Sequence, residues 1–206
     1  VRIIIADDHT IFRDGLKLLL GCAPDMTVVA ETGTSADLKQ LVRECLPDLL
    51  VMDYNMPGGD SGEVLAWLKQ RHPELRVLVL TAERSGALLK LLADCGADGL
   101  LLKEGSGEAL LAAIRQVAAG QKVLPDSVQE RIDEVATPLT AREFQVLHLI
   151  CQGWANSAIA EHFSLSPRTV DKHRENLQRK LGVGNVVQLI NKARSLGLFD
   201  QPTPGP

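Results

Sequence analysis

The feature that most restricts the fold is an alternation filling the first 120 residues: short apolar runs separated by longer amphipathic stretches. The runs, at 2–6, 27–31, 48–53, 76–81 and 99–102, have strand length and are rich in Val, Ile and Leu. A strand that is apolar on both sides is buried on both faces, the mark of a parallel sheet covered by helices. The stretches near 10–21, 35–45, 61–71, 85–95 and 106–119 supply those helices. In the last of them Leu110, Leu111, Ile114 and Val117 recur at helical spacing. Gly21, Gly96 and Gly120 stand where helix C-caps belong. The pattern predicts an α/β domain over 1–120 built on a five-stranded, doubly wound parallel sheet.

Residues 121–137 break the alternation. Pro125 and Pro138 bracket a polar segment, DSVQERIDEV, which reads as a linker with room for one short helix. A helical module follows over 138–200. Thr140 and Glu143 have the spacing of a capping box, and Leu139 and Phe144 that of a hydrophobic staple. Val146, Leu147, Leu149 and Ile150 continue that helix, and Gly153 stops it. A second helix is expected over 156–162. Ser166 is a natural N-cap for a third, with Pro167 at its first position and Leu165 set to staple Val170. That helix should end at Leu181, before Gly182, and a fourth should cover 186–195. The tail 201–206, QPTPGP, is expected to be disordered.

Charge separates the two parts. Residues 1–136 carry 14 Lys/Arg against 21 Asp/Glu, a balance of −7; residues 137–206 carry 8 against 5, a balance of +3. An acidic module joined to a basic one suits a cation-binding domain followed by a nucleic-acid-binding domain. Cys22, Cys45, Cys95 and Cys151 form no close pair and no Cys/His cluster, so they read as reduced structural residues. No apolar run approaches the roughly 20 residues needed to cross a bilayer. The chain enters its first strand without a secretion signal. A cytoplasmic protein without a membrane partner is expected.

Open parallel sheets place their sites beyond the carboxyl ends of the strands. Asp7 and Asp8 follow the first run, Asp53 closes the third, Thr81 closes the fourth, and Lys103 follows the fifth. The topology therefore gathers three carboxylates, a hydroxyl and an ammonium on one rim. Clustered carboxylates repel unless a cation joins them, and an oxygen ligand set without His or Cys favours Mg²⁺. A carboxylate can also attack phosphorus, with metal and ammonium stabilising the incoming charge. In the basic module, residues 156–181 have the form of a helix-turn-helix. Ile159, Ala160 and Phe163 are placed to pack against Val170, Leu177 and Leu181. Arg168, Thr169, Lys172, His173 and Asn176 then share the exposed side of the second helix, within reach of base edges or phosphates. An ordinary small bundle with a polar face is the alternative.

ADD at 6–8, MDYNMPGG at 52–59, TA at 81–82 and GLLLKE at 99–104 resemble the motifs of bacterial response-regulator receivers. LTAREFQVLHLICQG and IAEHFSLSPRTVDKHRENLQRKLGV resemble the LuxR-type DNA-binding domain. The whole chain is thus similar to two-component response regulators of the NarL/FixJ type, a flavodoxin-like receiver followed by a four-helix DNA-binding domain. The resemblance implies that Asp53 is the phosphoacceptor. Asp8 would bind Mg²⁺ directly, Asp7 through water, and Asn55 through its backbone carbonyl, while Thr81 and Lys103 would hold the phosphoryl oxygens. It further implies a sensor histidine kinase as donor, a homodimer when phosphorylated, and promoter half-sites in DNA as target. No enzymatic turnover is expected.

Several positions depart from the family pattern. Leu100 stands where an aromatic switch residue is usual, Glu104 where Pro is common, and the loop after Pro57 is one residue longer before Gly62. Asn55 and Glu83 occupy positions that influence phosphoryl lifetime in the family. Asp171 replaces a frequent Lys and can accept from cytosine or form a salt bridge instead. Val186 and Gln188 replace polar residues in the helix that forms the family's dimer contact. Two other functions remain open. A phosphatase using Asp53 would want an acid where Asn55 stands, and a constitutive DNA binder would use the receiver only to dimerise.

Overall fold

The computed structural model describes residues 1–58, 61–82, 84–134, 139–163, 165–196 and 198. Glu83, Pro138, Gly59 and the tail 201–206 lie outside them. The chain divides into two compact units, Val1–Arg84 with Leu92–Glu130, and Ser85–Leu91 with Arg131–Pro206.

The α/β part contains β1 (Arg2–Ala6), α1 (Thr10–Gly21), β2 (Thr27–Thr32), α2 (Leu38–Cys45), β3 (Leu49–Asp53), α3 (Ser61–Arg71), β4 (Arg76–Thr81), α4 (Gly86–Asp94), β5 (Gly99–Leu102) and α5 (Gly107–Ala118). The strands form one parallel sheet in the order β2-β1-β3-β4-β5. Side chains alternate across it. Ile3, Ile5, Leu49, Val51, Leu78 and Leu80 face Leu16 and Leu20 of α1 and Ala113, Ile114 and Val117 of α5. The intervening Ile4, Leu50, Met52, Val77 and Val79 are equally buried, as the period of two requires. Sheet order sets β1 beside β3 and β3 beside β4, so Asp7, Asp53 and Thr81 share one rim.

Small differences from the expected elements have local causes. β2 runs to Thr32, whose hydroxyl donates to Asp37 at 2.9 Å. Residues 35–37 form a 3₁₀ turn rather than the start of α2, N-capped by Thr34. Gly96 and Gly120 have the left-handed backbone expected after helices, with φ of +95° and +84°. Gly21 does not; it is the last residue of α1, and Cys22 caps the helix in a right-handed conformation. The left-handed residue after α2 is instead Leu46, at φ 44°. After α5 the chain stays on the sheet edge: Val123 bridges Gly99 and accepts from Leu100 N at 3.0 Å. A short helix, α6 (Asp126–Asp133), follows and buries Val128.

The loop that follows Asp53 is pinned at Pro57. The Pro57 carbonyl accepts from Ser35 N (2.9 Å), Thr34 Oγ1 (2.9 Å) and Ser35 Oγ (3.2 Å). Gly58 then turns at φ +98°, where a Cβ would stand 2.0 Å from Thr34 Oγ1. Only glycine fits that turn.

The helical part contains α7 (Ala141–Cys151), α8 (Asn156–His162), α9 (Pro167–Leu181) and α10 (Val186–Ser195). Helix α9 packs on α7, α8 and α10. Phe144, Leu147, Ile150, Ile159, Ala160, Val170, Leu177, Leu189 and Ala193 are buried. Phe163 and Leu181, expected in this core, are only half-buried. The ring of Phe163 stacks instead under the Arg142 guanidinium, 4.4 Å from its centroid, and beside His162. Ser166 caps α9 by accepting from Thr169 N, and Gly182 ends the helix at φ +67°.

The capping box of α7 forms as expected. Thr140 N and Oγ1 donate to Glu143 Oε2 at 2.8 and 3.0 Å, and Glu143 N donates to Thr140 Oγ1 at 3.2 Å. Lys180 of α9 adds an ion pair to the same oxygen at 2.7 Å. Burial pushes the Glu143 carboxyl up, but the bonds from Lys180 and Thr140 outweigh it and hold it below its ordinary 4.5. A depressed folded-state value gives stability present above pH 4.5 and lost as pH falls through that lower value. Glu143→Ala should cost about 1–2 kcal/mol at neutral pH, measured by urea denaturation. The difference from wild type should shrink as the pH is lowered below 4.5; a pH-independent difference would contradict the assignment.

Candidate functional site

The rim at the carboxyl ends of the strands holds one ammonium between two carboxylates. Lys103 Nζ lies 2.7 Å from Asp7 Oδ2 and 2.8 Å from Asp53 Oδ2. Both aspartates and Thr81 are buried, whereas Asp8 and Asn55 are exposed. The Thr81 carbonyl accepts from Lys103 N at 2.9 Å, which fixes the start of the β5 loop against β4. The Asn55 backbone amide donates to the Asp53 carboxylate. Above these residues opens a cleft of about 420 Å³ lined by His9, Phe12, Asp53, Asn55, Ala82 and Lys103.

The charges of the rim shift one another. Burial pushes the Asp53 carboxyl up; Lys103 and the Asn55 amide pull it down and Asp7 pushes it up, and the balance stays above the ordinary value. Lys103 is pushed down by burial, but the hydrogen bonds and charges of Asp53 and Asp7 outweigh it and raise it overall. The ammonium is therefore held charged. An anion arriving at Asp53 meets a fixed cation, and a divalent ion meets unspent carboxylate charge.

One ligand atom from each of Asp7, Asp8, His9 and Asp53 falls within 4.8 Å of the others. The donor set fits a divalent cation. His9 stands in the same cluster beside the oxygen donors. His9 N donates to Asp7 Oδ1 at 2.9 Å, and its Nδ1 lies 3.2 Å from that oxygen and 2.8 Å from Asp8 Oδ1. The ring is turned back by this local turn, which residue types alone did not signal beyond a ligand residue standing next to two aspartates. Phe12 was missed as well. It has the spacing of a core residue on α1, yet Lys103 Nζ stands 5.0 Å over its ring. Leu100 is fully buried in β5. Among the described residues all four cysteines are free, and burial pushes the Cys151 thiol up to about 11, which makes it a poor nucleophile.

On α9, Arg168 and Lys172 are exposed with their charges outward. Thr169 is less available: its hydroxyl lies 2.8 Å from Ser166 Oγ in the helix cap. His173 is partly buried, and burial together with Arg142 and Lys172 lowers its imidazole, against an upward pull from Glu143. Asn176 accepts from Arg179 at 2.8 Å. Asp171 accepts from the Asn156 carboxamide of α8, whose oxygen accepts from Arg174 at 2.6 Å. Asp171 therefore fastens the two helices of the helix-turn-helix. Among the described residues, no helix is long and apolar enough to cross a membrane.

Comparison with known proteins accounts for both parts. The response regulator receiver domain family matches residues 3–115, and the luxR family of bacterial regulatory proteins matches residues 137–193. The probable transcriptional regulatory protein NarL of Mycobacterium tuberculosis is 32% identical over 208 residues, covering 97% of this chain and 96% of the relative. The nitrate/nitrite response regulator protein NarP of Escherichia coli is 35% identical over 191 residues, covering 88% and 89%. RcsB of Salmonella enterica serovar Typhimurium, bound to the promoter rprA in the presence of the phosphomimetic BeF₃⁻, superposes with a TM-score of 0.77. It is 28% identical and covers 93% of this chain and 96% of that one. A structure of two RcsB dimers bound to two parallel DNAs gives 0.79, at 29% identity and coverages of 95% and 99%.

The shared ammonium yields a direct expectation. Lys103→Met leaves Asp7 and Asp53 facing each other without their cation, so the Asp53 carboxyl should rise further in metal-free buffer. Carbon-detected NMR titration of the aspartates measures this; an Asp53 titration like that of the wild type would contradict the ion pair.

Proposed function

Since the chain belongs to the response regulators that join a receiver domain to a luxR-family DNA-binding domain, we propose that phosphorylation of Asp53 by a sensor histidine kinase controls its binding to promoter DNA. The observation that carries this reading is the Lys103 ammonium placed 2.8 Å from Asp53 Oδ2 beside a second buried carboxylate. A carboxylate oxygen of Asp53 attacks the phosphorus of a phosphohistidine, the P–N bond breaks, the imidazole leaves, and an acyl phosphate remains. Lys103 then faces the phosphoryl oxygens, together with the Thr81 hydroxyl. Asp8, Asp53 and the Asn55 carbonyl would hold Mg²⁺, with Asp7 acting through water; the ion would neutralise charge on the transferred group. Asn55 offers a carboxamide where a phosphatase needs a carboxyl acid, so the phosphoryl group is held stoichiometrically rather than turned over.

The receiver comprises residues 1–120, the linker 121–137 and the DNA-binding domain 138–200. Helix α9 enters the major groove, with Arg168 and Lys172 as the leading contacts and Thr169, His173 and Asn176 around them. The phosphorylated protein is a homodimer on paired half-sites. The exposed Val187 of α10, at 64%, supplies apolar surface for that contact. The protein works in the cytoplasm, where kinase and DNA are both at hand.

DNA affinity measured with and without a small phosphodonor, on wild type and Asp53→Ala, tests the control. The donor should tighten wild-type binding by about tenfold, within the 1–3 kcal/mol usual for coupled sites, and leave Asp53→Ala unchanged. Equal affinity in all four conditions would refute it in favour of constitutive binding, the reading Leu100 supports by removing the usual aromatic relay. Lys172→Ala should weaken binding across sequences and reduce the salt dependence by about one ion; an unaltered salt slope would exclude a phosphate contact there.

A further inference from the structure

We propose that His9 is a nitrogen ligand of the carboxylate rim and that it tilts the centre from Mg²⁺ towards divalent first-row transition ions. The inference rests on the reading of that rim as a divalent-cation site.

Asp7 presents its two oxygens to two different groups. Its Oδ2 faces Lys103 at 2.7 Å, while its Oδ1 faces His9. The imidazole Nδ1 lies 3.2 Å from that Oδ1 and 2.8 Å from Asp8 Oδ1. Neighbouring ligand atoms around an octahedral ion with bonds of about 2.1 Å stand roughly 3.0 Å apart. The nitrogen already stands at the spacing of an adjacent vertex from Asp8 Oδ1. Asp53 belongs to the same cluster, with all four ligand atoms within 4.8 Å of one another.

The backbone aims the ring. His9 occupies the N-cap position of α1 in an extended conformation (φ −82°, ψ 102°), yet its side chain makes no cap hydrogen bond. Its amide is engaged by Asp7 Oδ1 at 2.9 Å. This turn directs Nδ1 to the carboxylates instead of to the helix amides. At 68% exposure the ring stands in solvent, while Lys103 takes the other oxygen of Asp7.

Ligand chemistry sets the preference. Mg²⁺ takes oxygen donors and keeps its waters, so an imidazole adds little to its binding. Imidazole suits Co²⁺, Ni²⁺ and Zn²⁺, whose affinities for mixed nitrogen–oxygen sites exceed those of the harder ions. The ion taken by this chain therefore depends on His9 as well as on the aspartates.

The test is equilibrium dialysis of Mg²⁺ and Co²⁺ against the full chain as wild type, His9→Ala and Asp8→Ala, with pulsed EPR of the Mn²⁺-loaded protein. His9→Ala should lower the ratio of Co²⁺ to Mg²⁺ affinity by about tenfold or more. Mn²⁺ in the wild type should show nitrogen modulation that His9→Ala lacks. An unchanged ratio, no nitrogen modulation in the wild type, or modulation that persists in His9→Ala and so arises from another histidine would each overturn the proposal. Binding indifferent to Asp8→Ala would overturn the underlying reading of the rim, a failure distinct from that of His9 alone.

Discussion

One ammonium shared by two buried carboxylates governs the receiver. Lys103 reaches both Asp7 and Asp53 within 2.8 Å, and neither aspartate has more than 2% of its side chain in water. Removing a charge from water costs several kcal/mol unless a partner and hydrogen bonds replace the solvent. The three side chains hang from β1, β3 and the end of β5, so the pairing holds only when those strands are in register. The parallel ladders place Val51 against Leu78 and Leu80 against Leu101, and the Thr81 carbonyl fixes the Lys103 amide. Sheet register and site geometry are a single constraint. The arrangement is also incomplete as electrostatics, because one ammonium does not neutralise two aspartates with a third beside them. That residual negative charge makes the rim receptive to a cation.

The helical part answers to a different constraint, the satisfaction of helix ends. Glu143 serves its own capping box and accepts the Lys180 ammonium from α9. Asn156 opens α8 and joins Asp171 to Arg174 across the turn. Each bridge uses polar groups at a helix end or on a helix side to set the angle between neighbours. Apolar packing at Ile159, Val170 and Leu177 supplies the stability, and the polar bridges supply the orientation on which α9 depends when it presents Arg168 and Lys172.

Much of this was legible in the sequence. Periodicity located all the strands to within about a residue, because apolar runs bounded by charged residues leave little freedom of register. The capping box was legible because its spacing is dictated by helix geometry. The convergence of Asp7, Asp53, Thr81 and Lys103 was legible through topology alone. What escaped depended on side-chain direction. The placement of the His9 ring beside Asp7 and Asp8 follows from a backbone turn, and that of Phe12 beneath the ammonium from the reach of Lys103. The bond from Asn156 to Asp171 depends on how α8 and α9 meet. Leu46 in a left-handed cap was not legible either, since glycine is the residue expected there and the leucine side chain is exposed.

The Pro57 carbonyl, held by three donors from Thr34 and Ser35, gives the loop after Asp53 a fixed half and an editable half. From Asp53 to Gly58 the chain is clamped at both ends, by the sheet and by this carbonyl. A residue gained or lost past Gly58 changes the length of chain leading into α3 without shifting Asp53. The length of this stretch can therefore vary while the geometry upstream stays in place.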